Sequence, residues 1–459
     1  MNSSSPPPPD ADHTHAHRAR WWRVGQNAGA NVAAKIATGL CTLALVPLLI
    51  GRLGVETFGW LSALLGFAGL AQFADLGVAL ALQSRLATLA ARHDEGALEN
   101  CFRSGERVLR RLALAWAAIA LPLAVLGGPH LLHTPAGVSE SSARLAWAAV
   151  ALAIGAGVSA SAGQRLAAAT QQSWVNAWWT TLAAVAALGA VWAFCLGPDT
   201  VGAAVIIICA GQILPGWATR AQLARQRGWR GGTADADLAR ELQREGFRLA
   251  SANLAGGALA AGVPFFFAHY GGYGASALFA ALQRLFNLAA QTHALLLTPF
   301  APAYAEALAA GDRAWLRRSW RLSLLSTGAA AAGAVALALL WPWFGTRWLG
   351  VEMNQAGAAI VVWGVTLWTA ATLALQACSY LLLGLDRLAA FGPAVALGHA
   401  ATVALAWAGG FALGASGIAV ALAVGAWLGP VAVLARGCAR AIPALAPKDS
   451  TPGNRPTNL

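Results

Sequence analysis

Long apolar runs alternate with short polar, Arg-bearing segments along almost the whole chain. A spanning helix needs about 20 mainly apolar residues. Twelve stretches answer to that: 28–50, 59–82, 112–132, 144–164, 174–196, 201–219, 247–268, 275–300, 322–344, 356–383, 391–411 and 417–436. Their Ala and Gly content lets helix backbones approach closely. The pattern predicts an all-α integral membrane protein of about twelve transmembrane helices.

Residues 1–27 are polar and Pro-rich and read as a disordered tail ahead of the first span. A cleavable signal would start with a short apolar stretch, so 28–50 reads as a retained helix. His13, His15 and His17 form HxHxH, which reads as part of the tail and not as a metal site. The six cysteines form no CxxC and no zinc spacing,. No cofactor and no resident metal are expected.

The 459 residues are 58% hydrophobic and only 11% charged. A soluble domain carries roughly 25% charged residues, so a cytosolic enzyme, a disordered protein and a secreted disulfide scaffold are excluded. The net charge of +12 is open to two readings, a nucleic-acid binder or a membrane protein with basic cytoplasmic loops. Position decides between them. Of 31 Lys and Arg, Arg52, Arg144 and Arg347 lie in or beside outer loops, and Lys35 and Arg284 lie well inside spans. The other 26 fall in 1–27, 83–111, 165–173, 220–246, 301–321, 384–390 and 437–459, or at the adjoining helix ends. Both termini are therefore expected in the cytoplasm, and nucleic acid is not an expected partner. Trp21, Trp22, Trp60, Trp174, Trp341, Trp343 and Trp348 fall near the proposed interfaces, as an aromatic belt would,.

The two halves resemble each other. Pro47 and Gly54 match Pro264 and Gly271, Leu89-Ala90-Ala91 matches Leu308-Ala309-Ala310, and Asp94 matches Asp312. Gly202 matches Gly417, and Pro215 matches Pro430. Self-similarity at a nearly fixed offset marks a repeat. The expected organisation is two pseudo-symmetric six-helix bundles, 28–219 and 247–436. A basic cytoplasmic linker, 220–246, joins them, and 437–459 forms a cytoplasmic tail. The repeat is parallel, which puts its pseudo-two-fold axis along the membrane normal and the substrate path between the bundles.

Pro47-Leu-Leu-Ile-Gly-Arg-Leu-Gly-Val-Glu-Thr-Phe-Gly59 resembles the first outer loop of the polysaccharide flippases, a family of the multidrug/oligosaccharidyl-lipid/polysaccharide exporter superfamily. Phe73-Ala-Asp75-Leu-Gly77 resembles a pattern in their second helix. Ala305-Glu-Ala-Leu-Ala-Ala-Gly-Asp312, followed by Arg317 and Arg318, resembles their loop after helix eight. The resemblance implies export of a lipid-linked oligosaccharide on an undecaprenyl diphosphate carrier across the bacterial inner membrane. The product would be an O-antigen, capsule or exopolysaccharide. A polysaccharide polymerase and a chain-length regulator would be partners. Lipid II flippases of the same superfamily usually carry two further helices, which this chain lacks.

Ionisable residues inside spans suggest function by default. Asn27, Asn31, Lys35, Thr38 and Thr42 are spaced to line one helical face,. A cation there would offset a diphosphate, and the amides and hydroxyls would bond sugar. The bland alternative is a polar stripe used for packing. Asp75 and Lys35 both sit roughly 10 Å deep, so Asp75 is a candidate ion-pair partner or coupling site. Arg284, Asn287 and Gln291 share a face of span eight,, and would give the second bundle its own cation. Arg52, Arg85 and Arg248 lie near span ends and suit snorkelling to headgroups. The linker, with Arg220, Arg225, Arg227, Arg230, Arg240 and Arg244, suits anionic lipids,. Asp235-Ala-Asp237 matches DxD but lacks a nucleotide-binding context.

A membrane enzyme would need a large outer loop, and the longest outer segments, near 133–143 and 345–355, are too short. No P-loop, HExxH or GxSxG is present,. A flippase is therefore expected, with a cation-coupled multidrug or small-molecule antiporter of the same superfamily as the alternative.

Overall fold

The computed structural model describes residues 10–69, 74–229, 231, 233–250, 254–353 and 357–441. Phe73, the C-terminal tail beyond Ala441 and the side chains of residues up to 28, Asn27 among them, lie outside the described residues. Among the described residues every element is helical. Among those described residues, eight stretches are long and apolar enough to cross a membrane. The fold is that of an all-α integral membrane protein.

The chain divides into two compact units, Met1–Ala250 and Ser251–Leu459. The first contains α1 (Asp10–Leu53), α2 (Val55–Gly69), α3 (Val78–Ala91), α4 (Glu95–Leu131), α5 (Glu140–Ala169), α6 (Ser173–Phe194), α7 (Val201–Gln226) and α8 (Ala236–Ala250). The helical backbone of α1 starts inside the tail expected to be disordered. The basic linker is largely helical too, and α8 packs on α3 and α4 within the first unit. The unit boundary thus falls at Ala250/Ser251, past the linker.

The second unit begins with Leu254–Leu297, two helices joined at Gly272 (φ 79°). Twelve residues of straight helix would separate Pro264 from Ser276 by about 18 Å. Instead the Ser276 hydroxyl donates to the Pro264 carbonyl at 3.2 Å, and Phe267 stacks on Phe279 at 4.6 Å. The chain therefore reverses at Gly272, between α9 (254–271) and α10 (273–297). Leu388–Ala441 behaves alike. Gly414 (φ 58°) breaks it, and a Cβ on Gly417 would lie 1.9 Å from the Gly409 carbonyl. Its halves are α14 (388–413) and α15 (415–441). Between them come α11 (Phe300–Ala309), α12 (Arg313–Leu349) and α13 (Ala358–Gly384). These reversals restore separate spans near 247–268 and 275–300, and near 391–411 and 417–436.

Backbone conformation repeats between the units. Left-handed φ occurs at Gly54 and Gly272, His93 and Gly311, Gly137 and Gly357, and Gln171 and Asp386. The sequence match aligned Gly54 with Gly271, and the conformational match moves it one residue, to Gly272. Asp94 and Asp312 cap the following helices alike, accepting from the Ala97 and Trp315 amides at 2.9 Å each. Such caps are worth about 1 kcal/mol.

Candidate functional site

The second predicted span, 59–82, is not one continuous helix. α2 ends at Gly69 and α3 begins at Val78. Leu76 (φ 50°) and Gly77 (φ 76°) are both left-handed. Glycine takes this conformation freely, whereas leucine at positive φ is strained, as residues at functional sites often are. Asp75 fixes the break. Its Oδ1 accepts from the Gly77 amide at 2.9 Å, and its carbonyl accepts from Val78 at 3.0 Å. Trp116 Nε1 holds the Ala74 carbonyl at 2.8 Å.

The break opens a cavity of about 300 Å³ within the first unit. Asp75, Ser161, Gln164, Arg165 and Gln212 supply its polar lining, beside Cys209 and Ile213. Asp75 is only 7% exposed. The cation that shares its cavity is Arg165 of α5, and Lys35 is not in the lining. Arg165 Nη1 donates to Gln83 at 3.0 Å, and its buried Nε lacks a hydrogen-bond partner among the described residues. The arrangement can hold water and stabilise a buried carboxylate beside a guanidinium. Gln164, Arg165 and Gln212 escaped the sequence reading because α5 and α7 meet the break only in three dimensions. Arg165 counted there simply as a cytoplasmic helix-end cation.

α8 closes on the same break. A Cβ on Gly246 would lie 2.6 Å from the Val78 nitrogen, so only glycine permits this approach. Arg85 of α3 pairs with Glu241 and, at 3.4 Å, with Glu245 of α8. The Glu241 hydrogen bond holds the Arg85 guanidinium above its ordinary range. Arg220 pairs with Glu106 at 2.5 Å, Arg227 with Glu95 at 2.6 Å and Arg240 with Asp237 at 2.9 Å. Part of the linker's basic charge is thus spent inside the unit. Asp235 accepts from the Asp237 amide at 2.8 Å, so the DxD stretch caps α8.

The other predicted residues stay apart from this cavity. Lys35 is half-buried on α1, which packs against α6 and α2. The Thr38 and Thr42 hydroxyls turn back to the Ala34 and Thr38 carbonyls at 2.7 and 2.8 Å. Those two hydroxyls thus serve their own helix, and Asn31 is half-buried. In the second unit, Arg284 Nη1 donates to the Ala280 carbonyl at 3.1 Å. Asn287 and Gln291 are exposed on the same helix.

No family model matches the sequence, and no curated protein sequence matches it. Solved structures do. An inward-facing multidrug resistance MATE family transporter of the MOP superfamily superposes with a TM-score of 0.69, at 14% identity, over 92% of this chain and 100% of that one. The lipid II flippase MurJ, in an inward closed conformation, gives 0.68 at 12% identity, over 90% of this chain and 89% of that one. An outward-facing MATE transporter of the same superfamily gives 0.58 at 16% identity, over 91% and 96%. The chain has the fold of the MOP-superfamily transporters. That fold spans multidrug exporters and a lipid flippase, so likeness of fold leaves the substrate to the side chains.

Proposed function

We propose that the protein flips undecaprenyl-diphosphate-linked oligosaccharide repeat units across the bacterial inner membrane by alternating access, for O-antigen, capsule or exopolysaccharide synthesis. Its termini lie in the cytoplasm. It works with a polysaccharide polymerase and a chain-length regulator, and among anionic lipids. The observation that carries this reading is the balance of deep charge. Asp75 is the single carboxylate in the twelve predicted spans, and it shares its cavity with Arg165. An acid balanced in this way makes a poor trap for a cationic drug. Lys35 and Arg284 add one deep cation to each unit, which suits a diphosphate passing through a low-dielectric slab. The fold match to MurJ adds the precedent of a lipid II flippase on this fold.

The fold match to a multidrug MATE transporter favours a second reading, cation-coupled export of small molecules. A deletion strain separates the two. Loss of surface glycan, with lipid-linked repeat units accumulating inside, is expected for the flippase. Intact glycan with raised drug sensitivity would favour the exporter. Lys35→Ala and Arg284→Ala should each abolish glycan export at unchanged protein level, and wild-type export by both would sink the assignment of those cations.

A further inference from the structure

The cavity beside Asp75 keeps hydrogen-bonding groups that the protein itself does not use. Gln164 of α5 and Gln212 of α7 both line it. Neither side-chain amide bonds another group among the described residues. Asp75 spends one carboxyl oxygen on the Gly77 amide and keeps the other. Arg165 spends one nitrogen on Gln83, and its Nε has no partner among the described residues. Both glutamines are exposed within stretches expected to cross the membrane. Polar side chains there face the protein interior or a water-lined cavity, not lipid.

The spare groups are mixed in kind. Whichever way a glutamine amide is turned, it offers both a carbonyl acceptor and an NH₂ donor. Arg165 adds donors, and Asp75 adds an acceptor. A bare cation would want oxygens alone and would meet the Arg165 guanidinium. No group of three or more His, Cys, Asp or Glu suited to a metal occurs among the described residues. A diphosphate would want donors alone and would meet the Asp75 carboxyl. A sugar hydroxyl both donates and accepts, so it uses the mixture in full. The rest of the lining suits the C–H faces of a sugar ring. Ala153 and Gly157 share a helical face with Gln164, and Cys209 and Ile213 share one with Gln212,. At about 30 Å³ for each water of the liquid, the cavity's 300 Å³ matches about ten heavy atoms. That is the size of one monosaccharide, well short of an oligosaccharide.

We propose that this cavity binds one neutral, hydroxyl-rich ring, a single monosaccharide of the transported repeat unit. Gln164 and Gln212 bond its hydroxyls and so read which sugar it is. Asp75 and Arg165 hold the cavity open and add one acceptor and one set of donors. Assigning the ring to the repeat unit rests on the flippase reading; the fit of a neutral sugar to the cavity does not.

The test follows sugar binding to the full-length protein in lipid nanodiscs by saturation-transfer NMR. The probe is the phosphate-free oligosaccharide released by mild acid from the lipid-linked units that accumulate in the deletion strain. Saturable binding is expected, unchanged by inorganic pyrophosphate or by sodium chloride. Gln164→Leu and Gln212→Leu should each weaken it at least about tenfold. Absence of binding, wild-type affinity in both variants, or displacement by either salt would overturn the proposal. Where one variant fails to insert, the other decides. In the complemented deletion strain, each variant should cut glycan export at least about tenfold at unchanged protein level. Wild-type export by both would overturn the role in transport. If the deletion strain keeps its glycan and accumulates no lipid-linked units, the flippase reading fails. The same titration with glucose, galactose and N-acetylglucosamine then judges the cavity alone. Glutamine-dependent binding of any of them keeps the sugar site, and binding of none overturns it.

Discussion

The two units share their pattern of backbone breaks but treat their buried polar groups in opposite ways. In the first, the break before α3 leaves a cavity of about 300 Å³ with Asp75 and Arg165 in its lining. In the second, His293, Gln376, Thr327, Ser323 and Tyr304 bond one another directly. The first site has room for water and keeps opposite charges across it. The second spends its polar groups on each other. The places where the chain turns thus recur between the units, while the chemistry inside each differs. Backbone turns depend on single residues such as Gly54, Gly272, His93, Gln171 and Asp386, whereas a buried polar site depends on side chains from three or four helices.

The largest effect should come from unbalancing the open site. Arg165→Leu leaves Asp75 buried without its neighbouring cation and should cost about 3 kcal/mol, the usual scale for a stranded buried charge. Thermal unfolding in detergent would measure it. Adding Asp75→Asn should recover much of the loss, and a double variant as unstable as the single would show that the two charges do not interact.

Next is the contact between α8 and the break. Gly246→Val drives a Cβ toward the Val78 nitrogen and should cost about 1–3 kcal/mol by overpacking. Unchanged stability would mean that α8 lifts off without penalty. A smaller loss is expected in the closed network. Thr327→Val removes one neutral hydroxyl and should cost about 1 kcal/mol. A loss as large as that of Arg165→Leu would erase the distinction between the units.

The smallest effect lies at the loop tie of the first unit. The Ser139 hydroxyl and amide hold the Asp199 carboxyl below its usual range, with the amide at 2.9 Å. A depressed folded value stabilises above the unfolded value, about 3.9, and is lost as pH falls through the folded one. Hydrogen exchange at the Ser139 amide should therefore be protected at neutral pH and lose that protection only below the usual carboxylate range. Asp199→Asn should remove the pH dependence.

The sequence by itself determined the membrane class, the helical content and the approximate spans, because apolar length and charge sorting are local properties that each segment carries alone. It also matched Asp94 with Asp312, and both cap the helix that follows. Asp75 stood out as the lone carboxylate in an apolar run. Its partner did not. Lys35 matched it in depth, yet depth fixes only one coordinate, and helix packing brought Arg165 to the cavity instead. Arg85 looked like a snorkelling residue until folding placed Glu241 and Glu245 beside it. His293 carries no signal in the sequence, because its two partner helices, α12 and α13, lie far from it along the chain. Which helices touch, which cation faces which acid and which hydroxyl already has an acceptor are questions of distance between segments, and only the tertiary structure decided them.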